Sequence, residues 1–450
     1  MSKEKIVLVG AGLSGSLLGI LLVKRGYTVE IFERRPDMRK TDISAGRSIN
    51  LALSNRGLRA LKRIGMDDYI RKEVVPMKGR MIHLKDSTGN FQPYSARAEN
   101  YINSVSRGGL NMALMTKAEE FPNLKIHFNT KCTNFSFANK TAEFENALNG
   151  VKFNISAETF IGTDGSASAI RDAMLNGGVK RFNFSQEYLD HGYKELRIPP
   201  TADGGFRINK DALHIWPRHD FMMIGLPNFD GSFTCTLFMG YQGEYGLDNL
   251  TTNDKVMEFF TEQFPDALPL MPTLTDDFFA NPTGALATVR CFPWSVEGKA
   301  LLLGDSAHAV VPFYGQGMNC SFEDCLELDD AIDEYAGNWE DIYTNYAIRR
   351  KPNTDAIAAL AVENYLEMRS SVANETFVLK RLVEYELEKT YPDFNSKYSM
   401  VTFYPEFSYA EAKKRGGWQD ETLMQFCSNY KDISEIDLKE VYQLMKTYNQ

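Results

Sequence analysis

The chain has 450 residues, more than one hydrophobic core ordinarily supports, so two or more units sharing a cleft are expected. Its net charge of −9, from 50 basic and 59 acidic residues, disfavours a dedicated nucleic-acid binder, although a local basic patch remains compatible with it. The six cysteines (132, 235, 291, 320, 325 and 427) form no CxxC pair and the six histidines are dispersed, so reduced thiols in a cytoplasmic protein are expected, with no disulfide frame and no metal site.

The first apolar run, Ile6-Val7-Leu8-Val9, follows a short polar start and breaks at glycine, so it reads as a buried strand and not as a signal peptide. Gly10-Ala11-Gly12-Leu13-Ser14-Gly15 follows, then an amphipathic helix over about 13–25 and a second strand from Thr28 to Glu33, a βαβ opening. In this turn Gly10 allows the tight bend, Gly12 lets the backbone approach a phosphate, and Gly15 permits close packing of helix on strand. The phosphate would lie at the helix N-terminus, where free amides and the dipole favour negative charge. Glu33 stands where a carboxylate accepts ribose hydroxyls, and it disfavours a 2′-phosphate at this site.

A helix is predicted from Ser54 to Ile64, stopped at Gly65. Around 80–105 the texture changes to strands. Phe160-Ile161-Gly162-Thr163-Asp164-Gly165 is a strand ending in an Asp-Gly turn, which alone carries no function. Residues 180–245 again suggest antiparallel strands, with a hairpin whose arms are Phe221 to Leu226 and Ser232 to Met239. Pro217, between His214 and His219, argues against a helix that would pair them on a metal. Ala300 to Asp305 ends another apolar strand, and Asp305 can accept a ribityl hydroxyl. The segment Pro312 to Asn319 leads into a helix beginning near Cys320, with the amides of Gly317, Met318 and Asn319 placed to face a flavin pyrimidine ring. His308 reads as structural. Helices are predicted over 323–335, 339–349, 354–368 and 372–390 and after Ser434, and no apolar stretch approaches a bilayer span. A glycine turn alone would fit a ligand-free bend. Together with the distant Asp305 element it points to FAD held at both ends.

In order and content the three motifs resemble the aromatic-hydroxylase group of single-component FAD-dependent monooxygenases. Arg47-Ser48-Ile49-Asn50-Leu51-Ala52, Lys78-Gly79-Arg80-Met81, Ser104-Val105-Ser106-Arg107, Asn364-Tyr365-Leu366-Glu367 and Tyr398-Ser399-Met400-Val401 carry a finer resemblance, to the kynurenine 3-monooxygenases, over almost the whole chain. That resemblance implies an α/β fold: a Rossmann-like FAD-binding domain (1–75, 105–178 and 288–340) interleaved with a mainly antiparallel β-sheet substrate domain (76–104 and 179–287), plus a helical C-terminal region (341–450). It implies FAD contacts from Gly10, Gly12, Ser14, Gly15, Glu33 and Arg34, from Arg47, Ala52, Arg107 and Cys132, and from Asp164, Asp305, Gly317, Met318 and Asn319. NADPH would be a co-substrate docking transiently without a Rossmann unit of its own, although the sequence does not fix NADPH over NADH.

By the same resemblance L-kynurenine is hydroxylated at C3 with O2 through a flavin C4a-hydroperoxide, in tryptophan degradation and quinolinate and NAD biosynthesis. Arg80 would pair with its carboxylate, Tyr94 and Tyr398 would bond the same group, and Asn364 would hold the amino-acid end; no catalytic acid or base is assigned. Taken alone, Arg80 reads as a surface cation, the two tyrosines as packing and Asn364 as a solvated helix face. Membrane-anchored members continue into an apolar helix where this chain has a polar tail, so a soluble protein is expected. The oligomeric state is open, a homodimer included. A hydroxylase of another aromatic substrate, a flavin-free NAD-binding dehydrogenase and a non-catalytic binding module on the same fold are the competing readings.

Overall fold

The computed structural model describes residues 4–40, 50–370 and 374–449. The run Ile6 to Val9 is buried and lies inside a six-stranded sheet, ordered Ser295–Val296, Ala300–Leu302, Thr159–Gly162, Lys5–Val9, Thr28–Phe32, Leu124–His127. All its pairings are parallel except the Ser295–Val296 edge. In register, Val9 lies opposite Gly162 and Gly162 opposite Leu302. Three motifs far apart in sequence therefore share one sheet edge, the carboxyl ends of adjacent parallel strands, where open α/β sheets bind ligands. Helix Leu13–Lys24 covers this sheet with a nearly continuous run of buried residues, so it is more deeply sunk than an amphipathic surface helix.

The second sheet has seven strands in the order Gly284–Phe292, Asn183–Ile198, Phe233–Gly240, Phe221–Pro227, Ala212–Arg218, Gly79–His83, Gly89–Pro93. Its pairings are antiparallel apart from Ala212–Arg218 with Gly79–His83. The predicted hairpin is present as Phe221–Pro227 and Phe233–Gly240. Arg80 faces Leu213 on one side and Gln92 on the other, deep in this sheet. A small sheet, Asn50–Leu53, Ile102–Ser106 and Val75–Met77, lies beside the sequence crossovers between the two larger ones. One apolar core fills the parallel sheet and its helices. Another, including Ile215, Phe238, Phe313 and Tyr365, joins the second sheet to the C-terminal helices.

The helical region departs from prediction in three places. The helix expected near Cys320 begins at Gly317 and runs to Glu334. The segments expected as two helices form one, Trp339–Ser370, which passes through Pro352. A proline there removes one backbone hydrogen bond, but neighbouring Arg350 is buried and bonded to Glu323 and Asp324, both at 2.7 Å, so tertiary contacts hold the helix through it. Helices Lys397–Thr402 and Tyr409–Cys427 were not anticipated. Among the described residues no helix is long and apolar enough to cross a membrane.

Candidate active site

A cavity of about 850 Å³ runs along the carboxyl ends of the parallel strands, within the roughly 300–1,000 Å³ usual for cofactor and ligand sites. Gly10, Gly12, Ser14, Glu33 and Arg34 line one end. Gly10 has a φ of +100°, and its bend is fixed to the neighbouring strand by the Thr163 hydroxyl, 2.8 Å from Gly10 O and 3.0 Å from Val9 O. Gly15 faces inward: a Cβ there would lie 2.0 Å from Gly10 O, so its role is contact between helix and turn. Gly12 differs, because among the described residues no heavy atom beyond its own chain neighbours lies within 4 Å of where its Cβ would be. That open cradle at a helix N-terminus suits a pyrophosphate.

Glu33 is buried and accepts from the Ala11 amide at 2.9 Å and from the Arg35 amide and Nε at 2.9 and 2.8 Å. Burial alone would raise its carboxyl, but the Arg35 guanidinium and these amides outweigh it and hold Glu33 below the usual carboxylate range. Arg35, missed by the sequence reading, thus keeps Glu33 ionised and also lines the cavity; its signal was proximity, two residues beyond Glu33.

Ala52, Arg107, Cys132 and Asp164 line the middle of the cavity. The Cys132 thiol is pushed up to about 12 by burial first and by Asp164 second, so it stays protonated. Asp164 accepts from the Ala169 amide at 2.7 Å through one oxygen, while the other is buried with no hydrogen-bond partner among the described residues. Arg47 lies outside the described residues.

Asp305, Gly317 and Met318 line the far end. Asp305 follows Gly304, whose φ of +66° turns the chain out of the strand. The first helical bond at the 317 helix is Cys320 N–H to Gln316 O, 2.8 Å, which leaves the preceding amides as that helix's N-terminal donors. Asn319 does not line the cavity. Its side chain accepts from the Ser54 amide at 3.0 Å and donates to Ala52 O at 2.8 Å and Gly315 O at 2.9 Å, tying the opposite wall to this helix. The open cradle, the ionised Glu33 and the amides at 317–319 fit the two ends of FAD.

Across the segment 310–315 lies a second, small pocket lined by Arg80, Tyr314, Asn364, Glu367 and Tyr398 among others. Val310, Pro312 and Gly315 line the large cavity while Tyr314 lines the small one, so this segment is the wall between them. Arg80 is buried, and among the described residues its Nε has no hydrogen-bond partner and the nearest carboxylate, Glu367, is 3.9 Å away. The cations around it are better matched, Arg381 to Glu384 at 2.7 Å and Lys380 and Lys397 to Asp420. The Tyr94 and Tyr398 rings stack at 5.0 Å and 8°, and the Arg80 guanidinium lies 5.0 Å from the Tyr398 ring. The Tyr94 hydroxyl is buried with no hydrogen-bond partner among the described residues, and burial pushes it well above the ordinary phenol value, so it remains a donor; Tyr94 stacks on Tyr398 but does not itself line the small pocket. A buried guanidinium donor that lines the pocket without an acceptor among the described residues favours a ligand that only accepts, such as a carboxylate. Asn364 is buried and donates to Phe313 O at 2.7 Å, bracing the wall. Glu367 and Tyr314 were missed; Glu367 sits one helical turn from Asn364, a spacing that could have revealed it.

The model of the FAD binding domain family matches residues 3–194 and 271–359. A kynurenine 3-monooxygenase of Myxococcus xanthus is 45% identical over 99% of this chain and 95% of its own length. Those of Dictyostelium discoideum and Legionella pneumophila are 43% and 42% identical, each over 99% of this chain and 98% of their own. Among solved structures, 2-methyl-3-hydroxypyridine-5-carboxylic acid oxygenase shares the fold at a TM-score of 0.67 and 19% identity, over 85% of this chain and 96% of that one. The p-nitrophenol 4-monooxygenase of Pseudomonas putida also has a TM-score of 0.67, at 16% identity, over 94% of this chain and 99% of that one. With a cavity of cofactor size at the strand ends and near full-length likeness to these relatives, the chain belongs to the kynurenine 3-monooxygenase family of FAD-binding flavoproteins.

Proposed function

We propose that this chain is an FAD-dependent monooxygenase that converts L-kynurenine to 3-hydroxykynurenine with NADPH and O2. The observation that carries the reading is the small pocket lined by Tyr398 and by Arg80, whose Nε has no partner among the described residues, separated from the flavin-sized cavity by one thin wall. FAD, when bound, supplies hydride acceptance from NADPH and oxygen activation. Gly12, Ser14 and the amides at 317–319 would hold its two ends, with Glu33 on the ribose and Asp305 on the ribityl chain; Ala52, Arg107, Cys132 and Asp164 would contact the span between.

On the substrate side Arg80, Tyr94 and Tyr398 fix the carboxylate, which sets the direction of the molecule as well as its charge. Ile215, Met222, Phe238 and Phe313 form the apolar core beside this pocket, where the aromatic ring is kept from water. Kynurenine's aryl amine already activates the adjacent ring carbon, so no protein base is assigned. Clamping the remote carboxylate then serves the reaction by orientation. The division into an interleaved FAD-binding domain, substrate domain and helical region, a cytoplasmic location and a homodimer belong to the same proposal. The test is NADPH and oxygen consumption by the flavin-loaded protein with kynurenine or with 4-hydroxybenzoate, and the mass of the product. Kynurenine should stimulate both and gain one oxygen atom; no stimulation by kynurenine refutes the proposal.

A further inference from the structure

Arg56 is the second residue of helix Asn55–Arg63 and its side chain has no exposed surface. A fully buried guanidinium must have its charge and donors matched. Here Nη1 donates to Glu323 Oε1 at 2.7 Å, Nε to Val401 O at 2.7 Å, and Nη2 to Met400 O at 3.2 Å and to Phe407 O. Its plane lies 4.0 Å from the Tyr409 ring. Beside it, Asn55 Nδ2 donates to Phe403 O at 2.9 Å.

Three of these acceptors lie in or just after the last turn of the six-residue helix Lys397–Thr402, which carries Tyr398. Six residues are too few to be helical alone. The last carbonyls of any helix lack partners within it, and a cation is favoured there. Arg56 and Asn55 supply both. On its other side, Arg56 is bonded to Glu323 in helix Gly317–Glu334, whose first turn lines the flavin cavity. Glu323 is shared with Arg350, Arg350 with Asp324, and Asp324 with His308 at 2.6 Å, so the buried hydrogen-bonded network reaches the Asp305–His308 turn.

We propose that Arg56 is a positioning residue: it locks the helix carrying Tyr398 to the helix facing the flavin, and so sets the placement of the substrate's amino-acid head relative to the cofactor. This rests on the function proposed above. Arg56→Met would leave Glu323 paired with Arg350, so no carboxylate is stranded, but the carbonyls of Met400, Val401 and Phe407 lose their donor. The fold can therefore survive while the anchor is lost.

The experiment compares the flavin-loaded wild type with Arg56→Met, Arg56→Lys and the milder Asn55→Ala. Without substrate, hydrogen exchange over 397–403 should quicken by at least about tenfold in Arg56→Met. The kynurenine KM should rise by about tenfold or more and more hydrogen peroxide should form per NADPH, with flavin content unchanged. Arg56→Lys should recover part of each effect, and Asn55→Ala should move the same readings in the same direction by less. Unchanged exchange over 397–403 in both Arg56→Met and Asn55→Ala overturns the proposal. So does faster exchange with KM and peroxide yield unaltered, or flavin loss in step with the other effects, which would mark Arg56 as general support. A wild type indifferent to kynurenine would sink the proposed function, and exchange alone would then decide the anchor.

Discussion

Gly12 and Gly15 lie in one turn, yet a methyl group should do opposite things at each. Gly12 has φ −69° and ψ −175°, an extended backbone open to alanine, and its Cβ would meet nothing among the described residues within 4 Å. Restricting the unfolded chain gains about 0.4–1 kcal/mol, roughly offset by alanine's weaker capping of a helix start. Flavin-free Gly12→Ala should therefore match the parent in stability to within about 1 kcal/mol. The methyl would nevertheless fill the cradle. Losing one charge-assisted hydrogen bond there, about 1.5–3 kcal/mol, raises the Kd for FAD by about 10- to 150-fold.

At Gly15 the Cβ would sit 2.0 Å from Gly10 O and 2.6 Å from Thr163 Oγ1. Relief requires moving a turn held by Gly10 N–H to Phe32 O at 2.8 Å, so Gly15→Ala should destabilise even the flavin-free protein by about 1–3 kcal/mol or more. Urea unfolding of the apoproteins and quenching of FAD fluorescence on titration measure the two quantities separately. The reasoning is refuted if Gly12→Ala binds FAD within threefold of the parent, or if it weakens the apoprotein as much as Gly15→Ala does.

Arg80→Ala should keep its flavin but bind kynurenine about 1.5–3 kcal/mol more weakly, the range for hydrogen bonds to charged groups; an unchanged titration removes Arg80 from the substrate site. Glu33→Gln should loosen FAD, read as flavin lost on gel filtration. Because Glu33 titrates below its ordinary 4.5, its stabilising contribution is complete above that pH and disappears as pH drops through the lower folded value. Wild-type stability should thus have an acid limb below about pH 4.5 that Glu33→Gln flattens, and identical limbs would contradict this. His214 is lowered from 6.5 to about 4, by burial first, with its Nε2 bonded to Asn209 O at 2.7 Å. Its neutral form is favoured in the fold, so its contribution is full above pH 6.5 and falls away toward pH 4, by about 3 kcal/mol in all. Urea midpoints between pH 7 and 4 should drop less steeply for His214→Gln, and equal slopes would refute the assignment.

The cofactor side was largely legible because each of its parts is local. A strand, a glycine turn and a helix start are written in consecutive residues, and parallel pairing of Lys5–Val9, Thr159–Gly162 and Ala300–Leu302 then brings the parts together. The substrate side was not legible in that way. Arg80 comes from an interior strand, Tyr94 from the residue after its hairpin partner and Tyr398 from a short distant helix, so no spacing announces their convergence. Only resemblance singled them out. Arg56, Glu323 and Arg350 were invisible for a related reason: charged residues on helices read as solvated until their buried partners are seen. The expected break near Pro352 failed because those same pairs outweigh a local helix breaker.

The partition at 310–315 constrains how this catalyst can diversify. One stretch of main chain serves as ceiling for one chamber and floor for the other, with Phe313 stacked 3.9 Å from Tyr365 and braced by Asn364. Reshaping it to admit a different aromatic would detune the isoalloxazine berth at the same stroke. Lineages exploring new substrates are better served by the opposite flank, where Leu213, Ile224 and Phe238 project from strands that do not contribute to the cofactor chamber.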